Sequence, residues 1–287
     1  MKKVLSYIII FSFIIIAFLA MQESNGNFSL DFLNDSDDLK IHFIDIGQGD
    51  SSIIITPNKK TILIDTGTKS SSNILIEYLK RQGVDTIDVL VSTHPHSDHI
   101  GGAVDIMDNF KVNQVLDSGF VHTSKTYENY LEKIDEKDIP FSVVKSGDTF
   151  NLDGLNVKIL NPLEPKEDAN NSSIVMRVEY GDFSCLFTGD IEEKSEIEII
   201  NNNHFIQSVV LKVAHHGSDT SSSQIFLEKV MPDVSIIEVG KDNPYGHPSK
   251  RVLDRLNIIK TEVFRTDLDG TIIIKSDGVN YSVSASK

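Results

Sequence analysis

Apolar positions along the chain gather into short β-branched runs, punctuated by turn residues and a few amphipathic stretches. Residues 40–46, 52–56 and 61–64 have strand character, separated by Gly47-Gln48-Gly49-Asp50 and by Pro57-Asn58. Ile74, Leu75, Tyr78 and Leu79 share one face of a 3.6-residue period, which predicts a helix over Ser72–Arg81. A strand over 88–92 then runs directly into a histidine cluster. Further on, the pattern predicts a helix over 127–137 and strands over 142–145 and 156–160. Strands 173–180 and 183–188 are joined by Gly181-Asp182 as a two-residue hairpin turn. A helix over 191–200, a strand over 209–213, a helix over Gln224–Val230 and a strand over 234–239 follow. The chain closes on a hairpin of 271–275 and 279–283 across Ser276-Asp277-Gly278. Strands in series with interleaved helices, without a repeat or a long linker, predict one α/β (α+β) domain over residues 39–287.

Upstream the pattern changes. Lys2 and Lys3 precede an apolar run over residues 4–21, close to the shortest span that crosses a bilayer. We expect residues 1–21 to be a signal or membrane anchor, a single N-terminal hydrophobic helix, and residues 22–38 a polar linker. The lysines stay on the cytoplasmic side, so the domain is exported. It is held at the cell membrane by one span, or secreted if cleavage follows Ala20.

The 27 basic and 42 acidic residues give a formal charge of −15, so any nucleic-acid role must rest on a local site. One local exception runs over 241–265, where Lys241, Lys250, Arg251, Arg255, Lys260 and Arg265 outnumber Asp242, Asp254 and Glu262. Cys185 is the only cysteine, which excludes a disulfide framework and a cysteine-built zinc site.

The densest chemistry is Thr93-His94-Pro95-His96-Ser97-Asp98-His99, followed by Gly101-Gly102. Imidazole nitrogen and carboxylate oxygen suit Zn²⁺ or Mn²⁺. His94 and His96 alternate along an extended backbone and project to one side, while Asp98 and His99 turn toward a neighbouring position. The glycine pair lets the next helix start close against the site. Thr188-Gly189-Asp190 ends an apolar strand in a carboxylate that can bridge two metals. In Val213-Ala214-His215-His216-Gly217-Ser218 one histidine completes a metal shell and the other faces substrate. Ser218, Thr220, Ser221, Ser222 and Ser223 either cap the next helix or hydrogen-bond a phosphate. Asn243-Pro244-Tyr245-Gly246-His247-Pro248 presents His247 as a general acid or phosphate contact. His42, His122 and His204 are given no role.

His94-x-His96-x-Asp98-His99 resembles the hallmark of the metallo-β-lactamase superfamily, and Asp65 in Leu63-Ile64-Asp65-Thr66-Gly67 resembles the first-motif aspartate that orients its histidine loop. Over residues 40–284 the chain resembles, more specifically, the C-terminal hydrolase-like domain of bacterial DNA-uptake competence channel proteins. The likeness lies in Asp45-Ile46-Gly47-Gln48-Gly49-Asp50, Asn170-Asn171-Ser172-Ser173, residues 188–190, 215–218 and 243–248, and Thr266-Asp267-Leu268-Asp269-Gly270.

That resemblance implies an αββα sandwich with two divalent metal ions, Zn²⁺ or Mn²⁺, where strand ends converge. It implies His94 and His96 on the first metal, Asp98 and His99 on the second, and Asp190 between them. His215 finishes the second shell as in nuclease members, or His216 does by an alternative alignment. Asp98, His216 and His247 are the implied catalytic residues, with Asp65, Asn170 and Asn171 in support. Two departures stand out. Asn170 and Asn171 occupy the place of the third-motif histidine, which weakens the first site or favours Mn²⁺. The many-helix channel of the competence proteins has no counterpart here, so the chain is not expected to be the DNA pore.

The expected activity is exported, metal-dependent hydrolysis of an anionic phosphodiester, DNA included. Two alternatives remain open. One is another exported substrate (a choline-type phosphodiester, lipid headgroup, lactone or β-lactam); the other is a non-catalytic binding module on a degraded metal site. The membrane is met through the N-terminal helix, and no protein partner is inferred.

Overall fold

A computed structural model describes residues 38–163, 167–202 and 205–287. The N-terminal helix expected over 1–21, nearly all of the 22–38 linker, and His204 lie outside them. Among the described residues no helix is long and apolar enough to cross a membrane.

The described residues begin with β1 (Leu39–Phe43), β2 (Ser52–Ile55) and β3 (Thr61–Ile64), followed by α1 (Ser72–Arg81). Next come β4 (Thr86–Ile87), β5 (Val89–Ser92), α2 (Ser97–Ile100), α3 (Ala103–Asn109), β6 (Lys111–Val112) and β7 (Val115–Asp117). Helix α4 (Lys125–Glu136) leads to β8 (Phe141–Val143), β9 (Thr149–Leu152), β10 (Leu155–Asn161), β11 (Val175–Tyr180) and β12 (Phe183–Phe187). The remainder is α5 (Glu193–Asn201), β13 (Val210–Lys212), α6 (Gln224–Val230), β14 (Val234–Ile237), α7 (Lys250–Ile259), β15 (Glu262–Arg265), α8 (Thr266–Asp269), β16 (Ile272–Ser276) and β17 (Tyr281–Ala285).

Two large sheets result, with strand orders β17-β16-β1-β2-β3-β5-β7-β8 and β15-β14-β13-β12-β11-β10-β9, and β4 pairs with β6 in a small third one. Each large sheet is antiparallel at one end and parallel at the other: β3, β5, β7 and β8 in the first, β12, β13, β14 and β15 in the second. Parallel neighbours need crossover connections, and helices supply them. Between the sheets Ile41, Phe43, Ile159, Phe187, Ile236 and Ile274 are buried together, with the Phe43 and Phe187 rings stacked at 5.8 Å. The outer face of the first sheet packs Leu63 and Leu90 on Leu75 and Leu79 of α1, Ile106 of α3 and Tyr130 of α4. The outer face of the second packs Leu186 and Leu211 on Ile199 of α5, Phe226 of α6 and Leu256 of α7. These four layers are the expected αββα sandwich. Burying each such side chain contributes about 1.5–3 kcal/mol.

The hairpin between β11 and β12 is the expected two-residue turn, Tyr180 pairing with Phe183. The closing hairpin differs from expectation. Ser276 ends β16, and Asp277 Oδ1 accepts the amides of Val279 (2.8 Å) and Asn280 (2.7 Å), which moves the turn onward and starts the last strand at Tyr281.

Candidate metal centre

Site residues leave the carboxyl ends of the parallel strands, where open α/β sheets collect their ligands. After β3, Asp65 takes a left-handed conformation (φ 57°). Its carboxylate accepts the Thr93 amide (2.8 Å) and hydroxyl (2.7 Å) and lies 2.7 Å from His99 Nδ1. One buried aspartate thus ties the β3 end to the histidine loop. The glycine pair is also needed: a Cβ on Gly101 would sit 2.6 Å from the Lys69 amide and one on Gly102 2.5 Å from the Thr66 carbonyl.

After β5, His94 has its Nδ1 3.2 Å from the hydroxyls of Thr93 and Ser173. Its Nε2 faces inward, 3.1 Å from His96 Nδ1 and 3.9 Å from Asp190 Oδ2. Burial and the charge of His99 hold the His94 imidazole well below its usual pKa, which keeps it neutral. His99 directs Nε2 to Asp190 Oδ2 at 3.2 Å. Burial would push His99 down, but Asp190 and Asp65 hold its proton well above the ordinary range.

After β13 the chain makes a strained turn, with His215 (φ 52°, ψ 48°) and His216 (φ 51°, ψ 21°) both left-handed. This conformation separates the two rings. The His216 Nδ1–H donates to the Glu238 carbonyl (2.9 Å), with Asp50 Oδ1 at 3.1 Å. Its Nε2 therefore faces Asp98 (3.4 Å) and Asp190 (3.7 Å). His215 stays partly exposed, its Nε2 3.8 Å from Asp190 and its ring 5.9 Å from that of His247.

Among the described residues three sets of donors lie within 4.8 Å of one another: His94, His99 and Asp190; Asp98, His99 and His216; and, beneath them, Asp50, Asp65 and His99. Asp190 Oδ1 and His216 Nε2 are buried and make no hydrogen bond. Inward-facing, unpartnered donors of this chemistry fit divalent metal. The asparagine pair divides in the same way. Asn171 is spent on structure, its amide groups bonding Asp168 and the Glu192 amide. Asn170 lines the cleft with a buried, unpartnered Oδ1.

Sequence reasoning missed the charges beneath. Lys212 is fully buried; its ammonium is paired with Asp50 and donates to the Val213 carbonyl (3.3 Å). Burial pushes the lysine down, but Asp50 and Glu238 hold it above its ordinary pKa. Glu238 accepts the Ser51 amide (3.2 Å) and the Ser52 hydroxyl (3.1 Å), and burial with the Asp50 charge pushes it up to about 8. A lone lysine inside the apolar run Val209-Val210-Leu211-Lys212-Val213 was the available signal.

Above this floor is a cleft of about 340 Å³. One wall carries Tyr245 and His247, stacked at 5.8 Å. Asn243 clamps their loop, accepting the His247 amide (3.0 Å) and donating to the His247 and Gly240 carbonyls (2.7 and 3.0 Å). Burial and the neighbouring His215 lower the His247 pKa. The other wall carries His122 and Ser124, to which the sequence gave no role. The basic 241–265 stretch does not gather over the cleft. Lys250 pairs with Asp254 and Arg265 with Asp267, while Arg255 donates to the Ser221 and Ser222 carbonyls. Ser223 caps α6, its hydroxyl accepting the Phe226 amide, so capping accounts for that residue.

The sequence profile of the Metallo-beta-lactamase superfamily matches residues 45–240. ComE operon protein 3 of Bacillus subtilis is 37% identical over 252 residues, covering 81% of this chain and 32% of that protein. Competence protein ComA of Neisseria gonorrhoeae is 32% identical over 79% of this chain and 31% of its own length. The chain thus spans about a third of these relatives. Among solved structures, the metallo-beta-lactamase fold protein YhfI of Bacillus subtilis superposes with a TM-score of 0.52 at 12% identity, over 80% of this chain and 97% of that one. CmlA, a diiron beta-hydroxylase of Streptomyces venezuelae, gives 0.55 at 14% identity, over 85% and 54%. The chain belongs to the metallo-beta-lactamase superfamily and is related to the bacterial competence proteins.

Proposed function

We propose that the domain is an exported two-metal phosphodiesterase acting on nucleic acid or a closely related phosphodiester. The observation that carries this reading is the pair of donor clusters around Asp190, lying beneath a cleft walled by imidazoles. In it His94, His96 and Asn170 would hold one ion and Asp98, His99 and His216 the other, with Asp190 available to both. His216 takes the ligand role that the resemblance first assigned to His215, because its Nδ1–H is committed to Glu238 and its Nε2 faces inward. His215 joins His247 on the substrate side.

When bound, the ions lower the pKa of water and polarise a phosphoryl oxygen. Asp98 orients the attacking water and accepts its proton. His247 and His215 donate hydrogen bonds to the developing charge and protonate the leaving oxygen. The relatives' link to competence, printed in the name of Competence protein ComA, supports DNA as the substrate. The apolar run over residues 4–21 behind two lysines supports export with the domain outside the membrane.

The test uses purified protein with added Mn²⁺ or Zn²⁺ on bis-p-nitrophenyl phosphate, single-stranded DNA and nitrocefin. Cleavage of the two phosphodiesters, stimulated by Mn²⁺ through the oxygen donor of Asn170, and none of nitrocefin is expected. Turnover of nitrocefin alone would replace the phosphodiester, and no turnover with either metal would leave a binding module.

A further inference from the structure

The wall formed by residues 118–124 takes no part in the metal centre, yet it is built as carefully. Its start is fixed by Asp117, buried at the end of β7, whose carboxylate accepts the Gly119 amide (2.7 Å) and the Tyr130 hydroxyl (3.1 Å). Its end is fixed by Ser124, the N-cap of α4, whose hydroxyl accepts the Tyr127 amide (3.2 Å). Between these anchors the Ser124 amide donates to His122 Nδ1 at 3.2 Å. A nitrogen that accepts carries no proton, so neutral His122 holds its proton on Nε2. The ring stands edge-on to His96, centroids 5.9 Å apart, and lines the cleft over the metal ligands.

Behind the same loop lies a second cavity, of about 450 Å³. Phe120, Val121, Val143 and Pro162 give it apolar surface, and Ser118, Ser172 and Lys145 add hydroxyls and a cation. Val121 and Val143 are 79% and 59% exposed, so this apolar surface is open to a ligand. Gly119, at φ 78°, brings the loop against Val143; a Cβ there would meet that side chain at 2.6 Å. Phe120 and His122 are two residues apart, so cavity and cleft are within about 7 Å along the backbone.

We propose that residues 118–124 recognise the substrate: the Nε2–H of His122 binds a non-bridging oxygen of the phosphodiester, and the cavity behind it receives the nucleobase on the same nucleotide. This rests on the phosphodiesterase reading above and names its substrate class. The occupant follows from the lining. An aromatic ring and branched aliphatic groups suit the face of a base, while the hydroxyls suit its edge. Lys145, exposed beside them, suits a flanking phosphate. An acyl chain would have use for neither hydroxyls nor cation.

Thymidine 5′-(p-nitrophenyl) phosphate and methyl p-nitrophenyl phosphate share a leaving group and differ only in the nucleoside. Wild type should prefer the nucleoside ester by roughly 10-fold or more in kcat/KM, the scale of one base-stacking contact. Val143→Asp and Phe120→Ala should bring that ratio close to one. His122→Gln should lower kcat/KM for both esters with bound metal retained. Cleavage of both esters without preference overturns the base site while leaving the phosphodiesterase intact. A preference for octyl p-nitrophenyl phosphate over the thymidine ester overturns it in favour of an acyl chain. Loss of metal from His122→Gln would make His122 a ligand instead. Should neither ester be cleaved, the phosphodiesterase reading fails. The cavity is then judged by binding of thymidine 5′-monophosphate to the metal-loaded protein: weakening of roughly 10-fold by Val143→Asp supports it, and unchanged binding overturns it.

Discussion

On the floor of the cleft His94, His99 and Asp190 are 1%, 0% and 2% exposed, and most of their polar atoms are committed to a neighbour. On the walls Tyr245 is 64% exposed, and His122 and His247 are only partly covered. Floor residues hang from the ends of parallel strands and are held by buried second partners: Asp65 behind His99, Ser173 behind His94, Glu238 and Asp50 behind His216. Wall residues ride on loops that single side chains clamp, Asn243 on one side and Asp117 on the other. The floor is thus suited to holding charge in fixed geometry, and the walls to meeting substrates. If that division is real, floor variants lose metal or stability, and wall variants lose turnover or selectivity with metal in place.

The largest effect should come from removing ligands on both sides of the shared centre. His96→Ala combined with Asp190→Ala should abolish stoichiometric metal binding, measured by elemental analysis after purification without chelator. Equal metal in the double variant and wild type would remove the floor from the comparison. Beneath the ligands, Lys212→Met strips the buried Asp50 of its cation, a change that costs about 3–5 kcal/mol in comparable pairs. Denaturant unfolding should show that loss, and adding Asp50→Asn should recover much of it by removing the stranded charge. If the double variant is no more stable than Lys212→Met, the pair does not act as a unit.

On the wall, His247→Ala should lower kcat by roughly 10²-fold, the scale of a general acid, with metal content unchanged. A fall in bound metal would move His247 to the floor. Unchanged kinetics would leave it a loop residue.

The floor was legible in the sequence because strand ends carry contiguous motifs. His94, His96, Asp98 and His99 are within six positions, and Gly189-Asp190 and His215-His216 each follow an apolar run. The four layers were legible for the same reason, since alternating strands and helices admit few arrangements. What resisted reading depends on contacts between distant segments. Which way the His216 ring turns is fixed by the Glu238 carbonyl, twenty-two positions onward. Asp168 and Glu192 engage the Asn171 side chain, while Asn170 lines the cleft. Lys212 finds Asp50 only across the two sheets. His122 is a single histidine in a loop, and its role depends on the Ser124 amide and the nearby His96. Strand β9 was missed for a simpler reason: Phe150 and Leu152 do alternate with Thr149 and Asn151, but a four-residue edge strand is too short for that alternation to stand out.

The smallest effect tests how the wall is anchored. Burial pushes the Asp117 carboxyl up to about 6, against the amide of Gly119 and the hydroxyl of Tyr130, which favour its charged form. A carboxyl whose folded pKa is raised binds its proton more tightly in the folded state than in the unfolded one. Its contribution is therefore fully present below about pH 4 and is lost as pH rises through 6. Each unit of upward shift corresponds to about 1.4 kcal/mol, and relaxation around the site trims the expected total to roughly 1–2 kcal/mol. Asp117→Asn keeps an oxygen for the Gly119 amide and carries no charge to bury. It should raise the thermal midpoint at pH 7.5 and leave it nearly unchanged at pH 4. Hydrolysis of methyl p-nitrophenyl phosphate, which needs the floor but not the base cavity, should change less than that of the thymidine ester if the 118–124 loop shifts. A lower midpoint at pH 7.5 would mean that the charged carboxylate, rather than its shape, holds the loop, and the wall would then share the electrostatic construction of the floor.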